Sequence, residues 1–222
     1  MKKTFFLSIA VFLFATGFAK AQQSFRIVPS PWAMSWGLGT GVMVPQGGLG
    51  DHFNTGFALD TEVKVIYQKA FLMVNGGFSS NKLTEDISIN NAVWPANSNA
   101  IHAFVGGSLG MDFEVDQFSI YPFAGIAYGF VEPNLKTANS DPVLSALKIS
   151  SMVYNLGIGF DYNFPDKNYE PGAINRILKV GVRYQLQIPN YKSEIPSFDG
   201  TTHWLTARFT IGSTFPGRKV VF

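Results

Sequence analysis

Charged side chains recur at every second position within segments that are otherwise apolar. Asp60, Glu62 and Lys64 form the clearest set, and because successive side chains of a β-strand point to opposite faces, all three share one face. The equivalent face of other segments carries Asp112, Asp161, Lys179, Arg183 and Arg208. Such a set could line a path for protons or ions, or it could form a buried network of ion pairs and hydrogen bonds.

A hydrolytic site is a second possibility that the residue types allow. The chain has three histidines, His52, His102 and His203, and the last of them follows Ser197, Asp199 and Thr202. A serine nucleophile needs a histidine at hydrogen-bond distance and an acid that orients it, and closeness in sequence establishes neither. We therefore predict no catalytic residue. We expect His52 and His203 in solvated loops, and His102 in the interior or at the membrane interface.

Patterns for metal and cofactor sites are missing from the sequence. The absence of cysteine excludes disulfides and cysteine-based metal sites. The sequence also has no glycine-rich phosphate loop between a strand and a helix, no HExxH and no EF-hand pattern. No metal-binding or cofactor-binding residue is predicted, and no cofactor is expected.

Long polar segments over 80–99 and 131–148 offer a different kind of chemistry. Trp94 precedes a proline in the first of them, and binding residues are frequent on long loops of a rigid scaffold. Trp94 is thus a candidate contact for a partner or a glycan. The alternative is a loop aromatic that packs against the rim of the fold.

The segments that must position these residues have a hydrophobic period of two. In 178–188 the apolar residues Leu178, Val180, Val182, Tyr184, Leu186 and Ile188 alternate with Lys179, Gly181, Arg183, Gln185 and Gln187. A period of two indicates β-strands. Similar patterns occupy 33–44, 57–67, 70–79, 102–113, 118–130, 151–164 and 202–215. Their lengths suit a tilted membrane-spanning strand of about 9–11 residues better than a soluble strand of about 5–6.

The connections between the predicted strands are alternately long and short. Those at 45–56, 80–99, 131–148 and 189–201 are long, those at 68–69 and 114–117 are short, and 165–176 is intermediate. Outer-membrane barrels have short periplasmic turns and long extracellular loops. This pattern predicts that both termini lie in the periplasm.

The small residues show which face points outward. The apolar face is crowded with Phe, Tyr, Leu and Met, whereas the other face contains Gly37, Gly39, Gly41, Gly106, Gly110, Gly125, Gly129, Gly157, Gly159 and Gly181. Eight strands leave an interior that side chains just fill, so the small residues belong inside and the bulky ones outside. We predict an all-β, eight-stranded antiparallel up-and-down transmembrane barrel, with the charged residues as a structural network in its lumen.

The first residues have the layout of a secretory signal peptide. A basic start at Lys2 and Lys3 precedes an apolar run over 5–18 and a small-x-small site at 19–21. We predict a signal peptide over 1–21 and the barrel domain over 22–222, with 22–31 as a lead-in and the residues after Phe215 as a short tail. Removing three lysines and no acid from a chain of net charge +2 leaves −1. No nucleic-acid partner is therefore expected.

Glycine-rich strands such as 155–164 and 121–130, the first hairpin over 41–56 and the export signal resemble the outer-membrane β-barrel family that includes the OmpX-like and OmpA-like barrel domains. This resemblance implies an integral location in the outer membrane of a Gram-negative cell envelope. It also implies contact with outer-membrane lipid and lipopolysaccharide, and insertion by the barrel-assembly machinery. An envelope protein partner is a further possibility.

Four functions are compatible with this fold. We expect a non-enzymatic protein that contributes envelope structure or binds at the cell surface through its extracellular loops. The alternatives are a porin-like narrow pore for small solutes, an accessory subunit of a secretion or uptake complex, and a lipid A-modifying enzyme.

Overall fold

The structure is a computed structural model that describes residues 25–89, 92–133, 148–166, 168–191 and 195–221. The predicted signal peptide, most of the predicted loop over 131–148 and the terminal Phe222 lie outside these residues. In chain order the elements are β1 (Phe25–Val28), β2 (Trp32–Gly47), α1 (Gly48–His52), β3 (Gly56–Tyr67), β4 (Ala70–Lys82), β5 (Ile87–Ile89), β6 (Ala92–Trp94), β7 (Asn99–Met111), β8 (Phe113–Val115), β9 (Phe118–Pro133), β10 (Ile149–Asn163), β11 (Arg176–Pro189), a 3-10 helix (Pro196–Phe198), β12 (Gly200–Thr214) and β13 (Arg218–Val221).

Eight of the strands close into a ring in which every neighbour is antiparallel. The order around the ring is β10, β11, β12, β2, β3, β4, β7 and β9, and β9 pairs again with β10. The pairing of β12 with β2 joins the two ends of the meander, from Gly200 opposite Gly47 to Thr214 opposite Ala33. The short β8 follows β7 after a break at Asp112 and pairs with the start of β9 in the register of β7. The predicted fold class, an eight-stranded up-and-down barrel, is confirmed.

Strands of the ring are longer than the hydrophobic alternation indicates. The pattern over 118–130 belongs to a strand that continues to Pro133, and the pattern over 70–79 belongs to one that continues to Lys82. Backbone hydrogen bonds between neighbouring strands continue past the part of a strand that faces lipid. The residues beyond that part do not need an apolar outward side chain. Most of the extra residues lie at the end with the long connections, so the barrel wall rises above its apolar belt there.

The apolar face of the ring points outward, as predicted. Leu72, Val105, Leu109 and Leu205 are each more than half exposed, whereas Asp60, Asn155 and Thr206 on the opposite face are buried. In hydrocarbon every backbone N–H and C=O group must be paired within the protein, and a closed ring achieves this for strands. The closed ring and its apolar outer face are the architecture of a transmembrane barrel. Neither helical segment among the described residues has the length and apolar character needed to cross a bilayer.

The lumen also holds bulky apolar side chains, which the simple separation of small and large residues does not predict. Phe71, Met73, Phe104, Tyr121, Phe123 and Trp204 point inward and are buried. Several of the aromatic rings among them lie against glycines of neighbouring strands. A Cβ atom at Gly159 would clash with Cζ of Tyr121, and one at Gly157 would clash with Cζ of Phe123. Inward glycines therefore make room for particular rings.

The two ends of the barrel differ. One end, here named the loop end, carries the connections 48–55 and 83–98 and the described residues of 190–199. The other, the turn end, carries the tight turn at 68–69, the connections 112–117 and 164–175, and the short sheet in which β1 pairs with β13. The predicted lead-in over 22–31 and the predicted tail after Phe215 contain β1 and β13, which pair with each other. Each segment alone is too short to signal a strand, and they pair only because the closed ring brings them together.

Substitution of an inward glycine tests the ring packing. Gly159→Ala places a methyl group against the Tyr121 ring, which is buried between Lys64 and Phe71, so we expect the free energy of unfolding to fall by about 1–3 kcal/mol. The measurement is urea unfolding in detergent micelles. Gly107→Ala is the matched control, because its Cβ would meet no heavy atom closer than 4.0 Å. Equal stabilities of the two variants would contradict this packing.

Candidate functional site

Two carboxylates and two guanidinium groups meet in the middle of the lumen, and we name them the lumen quartet: Asp60, Glu62, Arg183 and Arg208. Nη2 of Arg183 lies 2.8 Å from Asp60 Oδ2, and Nη1 lies 2.5 Å from Glu62 Oε2. Nη1 of Arg208 lies 2.5 Å from Asp60 Oδ1, and Nη2 lies 3.1 Å from Glu62 Oε2. Each guanidinium therefore contacts both carboxylates, which the planar fork of arginine allows.

The strand pairing explains why the quartet fits. Asp60 lies between Gly39 of β2 and Gly77 of β4 in the register, and a Cβ atom at Gly39 would be 2.5 Å from Asp60 Oδ1. A Cβ atom at Gly37 would likewise be 2.7 Å from Nη2 of Arg208. The neighbouring glycines leave the space that the large charged side chains occupy.

Lys64 and Asp161 extend the network towards the turn end. Nζ of Lys64 lies 2.8 Å from Glu62 Oε1 and 3.6 Å from the centre of the Tyr121 ring. The Tyr121 hydroxyl lies 3.4 Å from Asp161 Oδ1, to which it donates. Lys64 therefore has both a carboxylate and an aromatic face as partners, a combination that suits a buried cation.

Lys179 and Asp112 form a separate pair at the mouth of the turn end. Nζ of Lys179 is 3.2 Å from Asp112 Oδ2 and 3.4 Å from Glu114 Oε1. The predicted lumen residues thus fall into two groups. The quartet, Lys64 and Asp161 lie in the middle, and Lys179 and Asp112 lie at the mouth.

Sequence reasoning missed three members of this network. Tyr121, Glu114 and Thr206 take part, the last through a hydrogen bond of 2.8 Å from its Oγ1 to Asp60 Oδ2. Tyr121 could have been found, because it shares the inward parity of Ser119 and Phe123 on β9. Glu114 could also have been found, because β8 continues the alternation of β7, with Glu114 at the parity of Asp112 between the exposed Phe113 and Val115.

The middle group spans the lumen at mid-height. It has three acids, Asp60, Glu62 and Asp161, and three bases, Lys64, Arg183 and Arg208. Glu62 and Arg183 are each 1% exposed, so water has almost no access to them. Charges that are matched, buried and joined across strands are suited to bridging the barrel wall.

The loop end is closed by a second structure, which we name the loop cap: Leu49, Phe53, Leu83, Ile87, Trp94, Ala100, Val131, Ile149, Tyr191 and Phe198. The Phe53 ring makes edge contacts with Trp94 at 5.7 Å and with Phe198 at 5.3 Å. Burial in the loop cap raises the pKa of the Tyr191 hydroxyl. Residues from several connections thus share one apolar core above the lumen.

Trp94, the candidate contact for a partner or a glycan, is not exposed at the loop end. Its side chain is 0% exposed, because the hairpin of β5 and β6 folds it inward against Phe53. Burial of this large aromatic surface stabilises the packed loops. The alternative reading, an aromatic that packs on the rim, describes its position.

The three histidines lie at separate places. His102 is buried beneath the loop cap with its ring 4.7 Å from Phe53, and Nδ1 of His52 is 2.9 Å from Glu85 Oε1. His203 is on the outer face of β12, where Nδ1 is 2.6 Å from the Tyr184 hydroxyl and Nε2 is 3.1 Å from Thr201 Oγ1. The expectation that His203 lies in a loop is wrong, because β12 begins at Gly200 and includes it. Within the described residues no group of three or more His, Cys, Asp or Glu side chains could hold a metal ion.

A cavity of about 750 Å³ opens at the turn end, next to the Lys179 pair. Its rim includes Asp166, whose two carboxylate oxygens each accept a hydrogen bond of 3.0 Å from a backbone N–H, one from Asn168 and one from Arg176. These two hydrogen bonds hold the pKa of the Asp166 carboxyl below its ordinary value. The carboxylate thus organises the connection of 164–175, where the sequence predicts only a connection of intermediate length over 165–176.

Comparison with known proteins gives similarities of shape at low sequence identity. No protein-family model and no curated protein sequence matches the chain. A crystal structure of Neisserial surface protein A (NspA) is 15% identical, with a TM-score of 0.48, and the match covers 82% of this chain and 97% of that one. A structure of Ail, the attachment invasion locus protein of Yersinia pestis, in complex with the heparin analogue sucrose octasulfate, is 13% identical with a TM-score of 0.40, over 85% and 97% of the two chains.

A major outer membrane protein from Thermus thermophilus is similar in the same way. It is 12% identical with a TM-score of 0.42, and the match covers 82% of this chain and 98% of that one. At such identities and TM-scores, function has to be argued from the side chains of this chain.

Removal of one guanidinium tests the lumen quartet. Arg208→Met leaves two buried carboxylates without one of their partners, so we expect the free energy of unfolding in micelles to fall by about 3–5 kcal/mol. Arg176→Met, at an exposed position of β11, is the control and should change it by less than about 0.5 kcal/mol. A loss at Arg208 no greater than the loss at Arg176 would show that the quartet does not stabilise the barrel.

Proposed function

We propose that the protein is a non-conducting outer-membrane barrel that acts at the cell surface through its loop cap. The observation that carries this proposal is the lumen quartet, which fills the barrel at mid-height with matched, buried charges. An eight-stranded interior has no spare width for a second path beside such a group. The apolar loop cap adds a second closure at the loop end.

The proposed orientation places both termini in the periplasm. The long connections that follow β2, β4 and β11 share the loop end, and the tight turn at 68–69 shares the turn end with β1 and β13. Barrels of the outer membrane carry long loops on the extracellular side and short turns on the periplasmic side. The loop cap then faces the cell exterior.

The loop cap supports surface binding because it gives polar loop residues a rigid base. Val93 is half exposed on the outside of the hairpin whose inner face holds the buried Trp94. Glu85 pairs with His52 across two connections while remaining 60% exposed. Loops fixed in this way by a scaffold commonly carry recognition.

Several partners belong to this proposal. The outer apolar face would contact outer-membrane lipid and lipopolysaccharide, the barrel-assembly machinery would insert the chain, and an envelope protein would be bound through the loop cap. No nucleic acid is included, and no catalytic step is included because the three histidines lie apart. The proposal does not depend on the identity of the surface ligand.

Conductance in a planar lipid bilayer tests the closed lumen. The full chain should give no discrete current steps at low voltage in molar potassium chloride, because the lumen quartet leaves no water-filled path. A quadruple variant of the quartet to alanine (Asp60→Ala, Glu62→Ala, Arg183→Ala and Arg208→Ala) should conduct if it inserts. Discrete steps from the unaltered protein would favour the narrow pore and end this proposal.

Cross-linking in whole cells tests the loop cap as a binding surface. A photoreactive amino acid at the exposed Val93 should give an adduct of defined mass, and one at the neighbouring buried Trp94 is the matched control and should give none. Both positions lie in β6, so they share expression and insertion. Absence of adducts at Val93 and at other exposed loop-end positions such as Ser88 would contradict surface binding, whatever the conductance.

A further inference from the structure

A groove on the outer wall lies at the turn end, at the edge of the apolar belt. It encloses about 770 Å³. The outward side chains of Trp32, Val65, Tyr67 and Phe215 form its floor, and Val28 and Arg218 of the β1–β13 sheet contribute its far side. This groove is separate from the lumen and from the loop cap.

The groove exists because the β1–β13 sheet continues past the ring. Two backbone hydrogen bonds fix the link between β1 and β2 to the rim, one of 2.7 Å from Gln68 N to Pro31 O and one of 3.0 Å from Phe215 N to Trp32 O. The register of the short sheet places Val28 opposite Arg218. The terminal strands therefore form a wall below the point where the barrel surface would otherwise end.

The floor of the groove is continuous with the surface that faces hydrocarbon. Trp32, Val65, Tyr67 and Phe215 are between 38% and 47% exposed, like the rest of the outer face. The ring centres of Trp32 and Tyr67 lie 4.7 Å apart with the ring planes at 53°, so two aromatic rings pack side by side in the floor. An acyl chain from the surrounding leaflet matches this surface in chemistry and can enter it without leaving the membrane.

Arg218 supplies a charge at the polar side of the groove. Its side chain is exposed, and no ion pair or hydrogen bond to its guanidinium occurs within the part of the chain that the structure describes. A guanidinium beside an apolar floor at the membrane edge complements a phosphate that is attached to acyl chains. Apolar floor and cation together fit a glycerophospholipid.

We propose that this groove binds one glycerophospholipid from the leaflet at the turn end, with an acyl chain on Trp32, Val65 and Phe215 and the phosphate on Arg218. The bound lipid fills the space between the barrel wall and the β1–β13 sheet. It thereby holds the terminal strands at a set depth relative to the membrane surface.

Native mass spectrometry of the full chain in detergent tests this site, with palmitoyl-oleoyl phosphatidylglycerol as the probe. The unaltered protein should retain one lipid per chain at low lipid concentration. Arg218→Gln should weaken this binding about fivefold, the effect of about one surface cation on an anionic lipid. Palmitoyl-oleoyl glycerol, which has the same chains and no phosphate, should bind more weakly and should be insensitive to Arg218→Gln.

Two further variants separate the site from general adsorption. Arg176→Gln removes an exposed cation at the same end that does not line the groove, and it should leave phosphatidylglycerol binding unchanged. Trp32→Ala should weaken both probes. Equal losses from Arg218→Gln and Arg176→Gln, equal binding of the two probes, or displacement of phosphatidylglycerol by an equimolar amount of lipid A would each overturn the proposal.

Discussion

Backbone hydrogen bonding in hydrocarbon is the constraint on which this structure depends. A strand that crosses a bilayer cannot leave an N–H or C=O group unpaired, so the chain has to return to its first strand. The pairing of β12 with β2 over the full length from Gly200 to Thr214 satisfies that requirement. Once eight strands close, the width of the lumen is set, and every inward side chain has to fit within it.

The fixed width explains the composition of the inward face. Rings such as Tyr121 and Phe123 are accommodated only where the adjacent strand has glycine, and the arginines of the lumen quartet are accommodated in the same way. Charges in so narrow a space have to be matched, because an unpaired buried charge costs several kcal/mol. Glycines thus leave the space that large inward side chains need, and ion pairs match the charges that are buried there.

Because charged residues pair inside the lumen and aromatic residues pack in the loop cap, the side chains that a partner can reach lie on the outer surface. The loop end buries its aromatic residues in the loop cap, which leaves polar side chains and Val93 on the surface. The turn end keeps Lys179, Asp112 and Glu114 paired at its mouth, and the β1–β13 sheet adds a wall beside the apolar belt. The two binding surfaces that we propose, one for lipid and one for a surface partner, therefore lie at opposite ends of the barrel.

Local alternation along the sequence was sufficient to determine the strand number and the outward face, because the direction in which successive side chains point is a property of each strand alone. It also determined the inward placement of Asp60, Glu62, Arg183 and Arg208. It could not determine that Asp60 meets Arg208, since that contact joins residues 148 positions apart through the register of the closed ring. The same holds for the burial of Trp94 and the pairing of β1 with β13. Each depends on segments that are adjacent only after closure, and only the tertiary structure decided them.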